Sequence, residues 1–296
     1  MLTGFIILHY QSINDTICCV DSIVKNVNDY VIVIVDNCSP NKSGLDLLER
    51  YRLDKNVNVI LNDTNSGFAK GNNIGYAYLN KNYDCDFICC ANNDTVLLDC
   101  EFEKHINQDF GEYGFSVLAP KVLLLDGSIQ SFNPVLQSID YYKNQLERYE
   151  HCLTYQDYIR NMSIIGKLFV FSPAMMSTFR KIKQRIKAPY KKHMEDVVLH
   201  GCFLVFSKLY ISNFDTAFDP DTFMYREEEL LYLRVKSKNL KTLYSENMTI
   251  CHKEKAATKQ ILKSQDERYD FIRNNQIAST RILINRMDEL KFTLHL

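Results

Sequence analysis

The 296-residue sequence predicts an α/β fold: a mostly parallel central sheet with helices on both faces. Three observations carry that expectation. Short apolar runs alternate with amphipathic segments through the first third of the chain. The runs are apolar throughout rather than at every second position, which is the pattern of strands covered on both faces. Polar clusters follow three of these runs, and in a parallel sheet the carboxyl ends of the strands are where ligands bind.

The elements follow in order. GFIILHY (4–10) is a strand, and DTICCVDSIVKN (15–26) a helix with Ile17, Val20, Ile23 and Val24 on one face. YVIVIVDN (30–37) is a β-branched strand, KSGLDLLERYR (42–52) a helix and NVNVILN (56–62) a third strand. FAKGNNIGYAYLNK (68–81) reads as a helix with small residues inward, and DFICCAN (86–92) as the fourth strand. Residues 126–193 are less regular and end in the basic run 180–192. HGCFLVFSKLYI (200–211) reads as a strand pair or strand and turn, REEELLYLRVKS (226–237) as a helix and KTLYSENMTICH (241–252) as a strand. From Thr258 the tail is an amphipathic helix with Tyr269, Ile272, Ile277, Ile282, Leu283 and Met287 as its apolar positions. The organisation expected is a first part (1–120), a second part (121–255) and a C-terminal helical extension (256–296).

Composition narrows the function. Apolar residues make up 46% and charged residues 24%, as in an ordinary globular protein. The formal charge of -1 gives no bias toward nucleic acid. Ten cysteines, none in a CxxC pair and most in apolar runs, read as free thiols in a reducing compartment rather than disulfides or a zinc site. The N-terminus lacks the basic start and long apolar stretch of a signal peptide, and no stretch is long enough for a membrane span. The expectation is a cytoplasmic protein. The basic run is compatible with peripheral contact to an anionic membrane surface, although a solvated surface segment is the commoner meaning of such a run.

The chemistry gathers at the strand ends. Asp36-Asn37, 62–65 and 92–94 would converge on one sheet edge. A lone Asp after a strand is most often a turn or cap residue, so the convergence carries more than any one cluster. The spacing of Gly67, Gly71 and Gly75 is not that of a dinucleotide fingerprint. Glycines four apart let a helix backbone approach either the sheet or a ligand closely. Asn65 and Gly67, in the loop before that helix, favour ligand contact. Asp94 can ligate Mg²⁺ or Mn²⁺ with phosphate oxygens completing the shell. A lone His is usually structural, but His252 paired with Asp94 makes a second ligand that favours Mn²⁺. Glu227, Glu228 and Glu229 begin a helix, where acids are favourable through the macrodipole alone, and only one of them can face a cleft. The aromatic loop 218–225 before them would wall a pocket suited to a sugar face.

VIVDNCSP, NDTNSGFAKGNNIG, CCANNDT, HGCFLVFS, FDPDTFMYREEELLYLR and ICH stand in an order that resembles family 2 glycosyltransferases, over about residues 2–253. The subgroup resembled is that of the bacterial rhamnosyltransferase-like and O-antigen or capsule enzymes. The resemblance implies a GT-A fold, with 1–120 as a Rossmann-like nucleotide-sugar-binding half and 121–255 as an acceptor-binding half of the same domain, and inverting, metal-dependent transfer from a UDP- or dTDP-sugar to a glycan acceptor, lipid-linked in that subgroup's usual role. It implies that Asp36, His9 and Tyr10 line the nucleotide pocket, and that Asn65, Gly67 and Lys70 lie beside the nucleotide or its diphosphate. Asn92, Asn93 and Asp94 stand for the DxD motif, with Asp94 and His252 at the metal. Glu228 matches the general base, with Glu227 as the register alternative. Gly201, Cys202, Phe223 and Tyr225 fall on the acceptor side. The sequence departs from the pattern in having Glu for Asp at the base, Lys70 for a common Gly, Cys38 for another, and a single acid in the DxD position.

Two other classes compete. A nucleotidyltransferase would need a Gly- and Arg/Lys-rich grip on a triphosphate near the N-terminus, where LHYQSINDT has none. A non-catalytic nucleotide-sugar-binding partner would not need Asp94, Glu228 and His252 together.

Overall fold

The computed structural model describes residues 1–160, 192–253 and 264–294. Among the described residues nine strands form one sheet: β1 (Thr3–His9), β2 (Tyr30–Asp36), β3 (Val57–Leu61), β4 (Phe87–Asn92), β5 (Thr95–Leu97), β6 (Val117–Leu124), β7 (Met194–Glu195), β8 (Phe203–Ser207) and β9 (Thr242–His252). Their order is β3-β2-β1-β4-β8-β6-β9-β5, with β7 beside β9. The first four strands are parallel, as predicted. Beyond β4 the sheet is mixed: β8 runs antiparallel to both β4 and β6, β6 is parallel to β9, and β5 is antiparallel to β9.

β1, β2 and β4 are buried on both faces, which explains their unbroken apolar runs, while β3 at the sheet edge is only partly buried. Phe5, Ile7, Ile32, Ile34, Phe87 and Cys89 point to one face, where Cys19, Val20 and Ile23 of α1 (Ile13–Asn26), Leu47 of α2 (Ser43–Tyr51) and Ile106 of α4 (Phe102–Tyr113) cover them. Ile6, Val31, Val33, Val35 and Cys90 point to the other, beneath Tyr76 and Leu79 of α3 (Gly67–Asn82). Gly75 settles into packing rather than ligand contact: a Cβ there would lie 2.6 Å from Ile6. Gly71 likewise sits against Leu8.

The middle of the chain contains α5 (Ile139–His151) and α6 (Tyr155–Arg160), a region the sequence left irregular. The segment expected as a strand pair or a strand and turn is β8 followed by the short α7 (Lys208–Ile211). Then come α8 (Glu227–Ser237) and α9 (Gln265–Leu294). Buried Leu283, Ile284 and Met287 of α9 meet Ile139 and Tyr142 of α5 and Leu230 and Leu233 of α8 in a third apolar cluster. The basic run 180–192, apart from Lys192, and the start of the tail helix at 258–263 lie outside the described residues. All ten cysteines are free. Among the described residues no helix is long and apolar enough to cross a membrane.

Candidate active site

The register of the parallel strands brings their carboxyl ends level. His9 pairs with Asp36, Leu8 with Asn92 and Asp36 with Leu61. The antiparallel pairing of β5 with β9 sets Thr95 opposite His252, which brings the last predicted residue to the Asp94 turn.

His9 is fully buried. The Ser43 hydroxyl donates to Asn41 Oδ1 at 2.7 Å, so His9 Nε2–H donates to Ser43 Oγ at 2.8 Å and Nδ1 accepts the Thr16 hydroxyl at 2.7 Å. Burial lowers the His9 pKa from its ordinary value, against the opposing pull of Asp36. The expectation that His9 lines the nucleotide pocket is therefore corrected. Both ring nitrogens are engaged inside the protein, where they join the β1 end to α1 and α2. Thr16 also accepts from Asn93 Nδ2 at 3.1 Å, which extends the chain of bonds to the turn that carries Asp94. Asp36 is buried as well. It accepts from the Ser39 backbone N–H and hydroxyl, and a Cβ on Gly44 would lie 2.3 Å from Oδ2. The carboxylate thus shapes the loop 37–44. Tyr10, next along, is partly exposed.

Asn37 organises the third cluster. Its Nδ2 donates to Asn65 Oδ1 and Gly67 O, and its Oδ1 accepts the Ser66 N–H at 2.9 Å. Asn65 Oδ1 accepts the Gly67 N–H as well, so this side chain holds the loop as much as it faces outward. Gly67 has φ +79, and a Cβ there would stand 2.2 Å from the Phe223 carbonyl oxygen. That carbonyl accepts the Phe68 N–H at 2.7 Å, so the loop before α8 caps the start of α3. Lys70 is exposed on the first turn of α3.

Asp94 and His252 meet. Asp94 Oδ1 is 3.2 Å from His252 Nε2, and both residues are buried. His252 Nδ1 is 2.8 Å from Gln130 Oε1, so Nδ1–H donates there and Nε2 is the nitrogen that faces Asp94. Two ligands at about 2.1 Å from one ion in neighbouring octahedral positions stand about 3 Å apart, so this pair fits a shared Mg²⁺ or Mn²⁺. Among the described residues no group of three or more His, Cys, Asp or Glu side chains could hold a metal. Asp94 and His252 would supply two ligands and a bound diphosphate others. Asn92 and Asn93 are half-buried.

The three glutamates separate clearly. Glu229 Oε1 accepts from Arg226 Nη1 at 2.9 Å. Glu227 is 8% exposed, and its Oε1 has no hydrogen-bond partner. Glu228, with 41% of its side chain exposed, accepts the Gly201 N–H at Oε1. Burial pushes Glu227 and Glu228 each up to about 7, with the adjacent glutamates adding to the rise. Gly201, expected on the acceptor side, contributes its backbone to Glu228. Cys202 is corrected outright: it is 1% exposed in the core and cannot reach an acceptor. Phe223 and Tyr225 are half-buried, with the Phe223 ring 6.4 Å from Phe271 of α9.

His200, in HGCFLVFS, joins the site without having been expected there. Its Nδ1 accepts the Cys202 N–H at 3.1 Å and stands 3.7 Å from Glu228 Oε1. Its ring lies 6.1 Å from that of His252. Burial, with His252 nearby, lowers its pKa to about 4, so it is neutral. The residue type gave no signal, because a lone His beside an apolar strand is usually structural. Glu228, His200, His252 and Asp94 thus form a continuous chain of neighbours from α8 to the β4–β5 turn.

The glycosyl transferase family 2 model matches residues 5–187. No curated protein matches the chain. Among solved structures, S. aureus TarS 1-349 has a TM-score of 0.51 and 17% identity, covering 86% of this chain and 60% of that one. GalNAc-T7, solved with UDP, GalNAc and Mn2+, has a TM-score of 0.55 and 11% identity, covering 85% of this chain and 44% of that one. The chain spans less than two thirds of the length of either structure. At such identities the likeness is one of fold, and the fold is GT-A. With the family model spanning well over half its length, the chain belongs to glycosyl transferase family 2.

Proposed function

We propose that this protein is an inverting glycosyltransferase that moves a sugar from a UDP- or dTDP-sugar to a hydroxyl of a glycan acceptor. The observation that carries the reading is the Glu228–His200–His252–Asp94 chain, which sets an elevated-pKa carboxyl across one imidazole from a pair fit for a divalent ion. A lipid-linked glycan of surface polysaccharide synthesis is the acceptor class we favour, as an extension of the sequence resemblance.

Each residue has a definable task. The Gly201 N–H holds Glu228 Oε1 and leaves Oε2 without a partner among the described residues, so Oε2 can take the proton of the attacking hydroxyl. The carboxyl group's pKa near 7 keeps it a usable base at neutral pH without making it inert. Asp94 and His252 would hold a divalent ion, which when bound neutralises charge on the leaving diphosphate. One displacement on the face opposite the diphosphate inverts the anomeric centre without a covalent glycosyl-enzyme. Asn65, Gly67 and Lys70, at the start of α3, border the donor side, with Asp36 shaping the neighbouring loop.

The experiment is a screen of UDP- and dTDP-sugars for transfer or hydrolysis, with Mg²⁺ or Mn²⁺ present and then chelated. Transfer by the wild type and a loss of about 10³-fold in Glu228→Gln, with donor binding retained, support the reading. Near-wild-type transfer by Glu228→Gln removes the proposed base. Release of pyrophosphate from a nucleoside triphosphate and a sugar phosphate would instead make the protein a nucleotidyltransferase.

A further inference from the structure

His200 lies between the two ends of the proposed displacement. On one side its Nδ1 stands 3.7 Å from Oε1 of Glu228, the carboxyl whose Oε2 would take the proton of the acceptor hydroxyl. On the other its ring stands edge to face with His252, at 6.1 Å and 79°, beside the pair that would face the departing diphosphate. A sugar in transfer has to occupy the space between those two groups, because the attacking oxygen and the leaving oxygen lie on opposite sides of its anomeric carbon.

The ring is held in one tautomer. Nδ1 accepts the Cys202 N–H at 3.1 Å, so the proton resides on Nε2. The backbone around it is fixed too: the Gly201 N–H is bound to Glu228, and the Asn92 N–H donates to the Cys202 carbonyl at 2.8 Å. Nε2–H has no acceptor among the described residues. A rigid, neutral, single N–H donor suits a hydroxyl oxygen, which accepts one directed bond. It is less suited than a cation to a diphosphate.

We infer that His200 Nε2–H donates a hydrogen bond to a ring hydroxyl of the donor sugar and so helps set which sugar the enzyme accepts. The inference rests on the glycosyltransferase reading and adds a specificity-determining residue to it. A site built to bond a hydroxyl discriminates strongly against an analogue lacking it, because the unused donor is left unpaired.

The test compares wild type with His200→Ala and His200→Gln. The probes are UDP-glucose, UDP-galactose, UDP-N-acetylglucosamine, UDP-N-acetylgalactosamine and their dTDP counterparts, then the 2-, 3-, 4- and 6-deoxy forms of whichever donor the wild type uses. UDP affinity is measured in parallel. Removal of one particular hydroxyl should lower the wild-type kcat/KM by about 30-fold or more. His200→Ala should lose a similar factor with the parent donor, lose no more than about threefold with that one deoxy donor, and bind UDP as the wild type does. His200→Gln, which keeps an N–H, should recover part of the discrimination. An equal loss across all donors, a loss of UDP affinity, or unchanged kinetics in His200→Ala overturns the inference. If the wild type binds a nucleotide sugar but turns over none, the reaction reading fails. The inference is then judged on binding alone: His200→Ala must flatten the affinity difference between the parent and deoxy donors, and an unchanged difference overturns it.

Discussion

Adjacent glutamates with elevated pKa values have opposite consequences for activity and stability. Glu228 must be ionised to accept a proton, so transfer should rise with pH through about 7 and level off above it; a kcat/KM profile with no acidic limb between about 6 and 8 would argue against Glu228 as the base. Glu227 is a stability matter. Its folded pKa of about 7 lies above the ordinary 4.5, so the fold favours the neutral acid. That stabilisation is complete below about 4.5 and is lost as pH rises through about 7. Glu227→Gln, permanently neutral, should match wild type at pH 5 and exceed it at pH 8 by on the order of 1–2 kcal/mol. Denaturant unfolding at the two pH values reads the difference directly. A variant less stable than wild type at pH 8 would mean that the carboxylate form is held by bonds stronger than its burial cost.

At the scale of elements, the loop 218–226 ties α3 to α9. Asn73 on α3 donates to the Phe218 carbonyl at 3.0 Å and accepts the Phe218 N–H at 2.8 Å. The Phe223 carbonyl caps α3. From the other side, α9 holds the loop: the Ser279 hydroxyl donates to the Met224 carbonyl, Arg226 Nε to Thr280, and Arg286 bridges Asp219 and Asp221. Asn73→Ala would leave a buried N–H and carbonyl unpaired, at a cost of about 2–3 kcal/mol. Thermal unfolding should show that loss, and transfer should fall with it because the loop leads straight into Glu228. Full activity with full stability would show that the clamp is dispensable. Strand and helix identities in the first third were legible because burial on both faces writes itself into continuous apolar runs. The ring of polar strand ends was legible as well. Ser279 and Thr280 were not, since they look like solvent positions on an amphipathic helix yet lie buried against the loop. His9 and Asp36 were placed at the correct strand ends, but their inward bonding depends on Thr16, Ser39, Ser43 and Gly44, partners that no local pattern reveals. Cys202 failed for a related reason: motif position fixed its backbone at the site, while the turn leading into β8 buries its side chain beside Phe203. The antiparallel arrival of β8 was equally hidden, because hydrophobic patterning does not encode strand direction.

Across the whole molecule, the proposed metal site exists only because the fold joins distant parts. Asp94 lies in the turn after β4, Gln130 follows β6, and His252 ends β9. Two protein ligands of net charge -1 are few for a divalent ion in water, and Mg²⁺ and Mn²⁺ sites of this kind draw their remaining ligands from phosphates. The ion and the nucleotide should therefore bind cooperatively, each supplying part of the other's site. Mn²⁺ alone, up to about millimolar, should leave the melting temperature unchanged, because mass action stabilises only when the ligand exceeds its dissociation constant. UDP alone should give a small rise. Together they should raise it by on the order of 5 °C, as expected when both are near 100-fold above their coupled dissociation constants. Asp94→Ala should remove the Mn²⁺-dependent part and keep the UDP-only part. Stabilisation by micromolar Mn²⁺ without nucleotide would show that the protein alone completes a strong site, and an undiminished Mn²⁺ effect in Asp94→Ala would place the ion elsewhere.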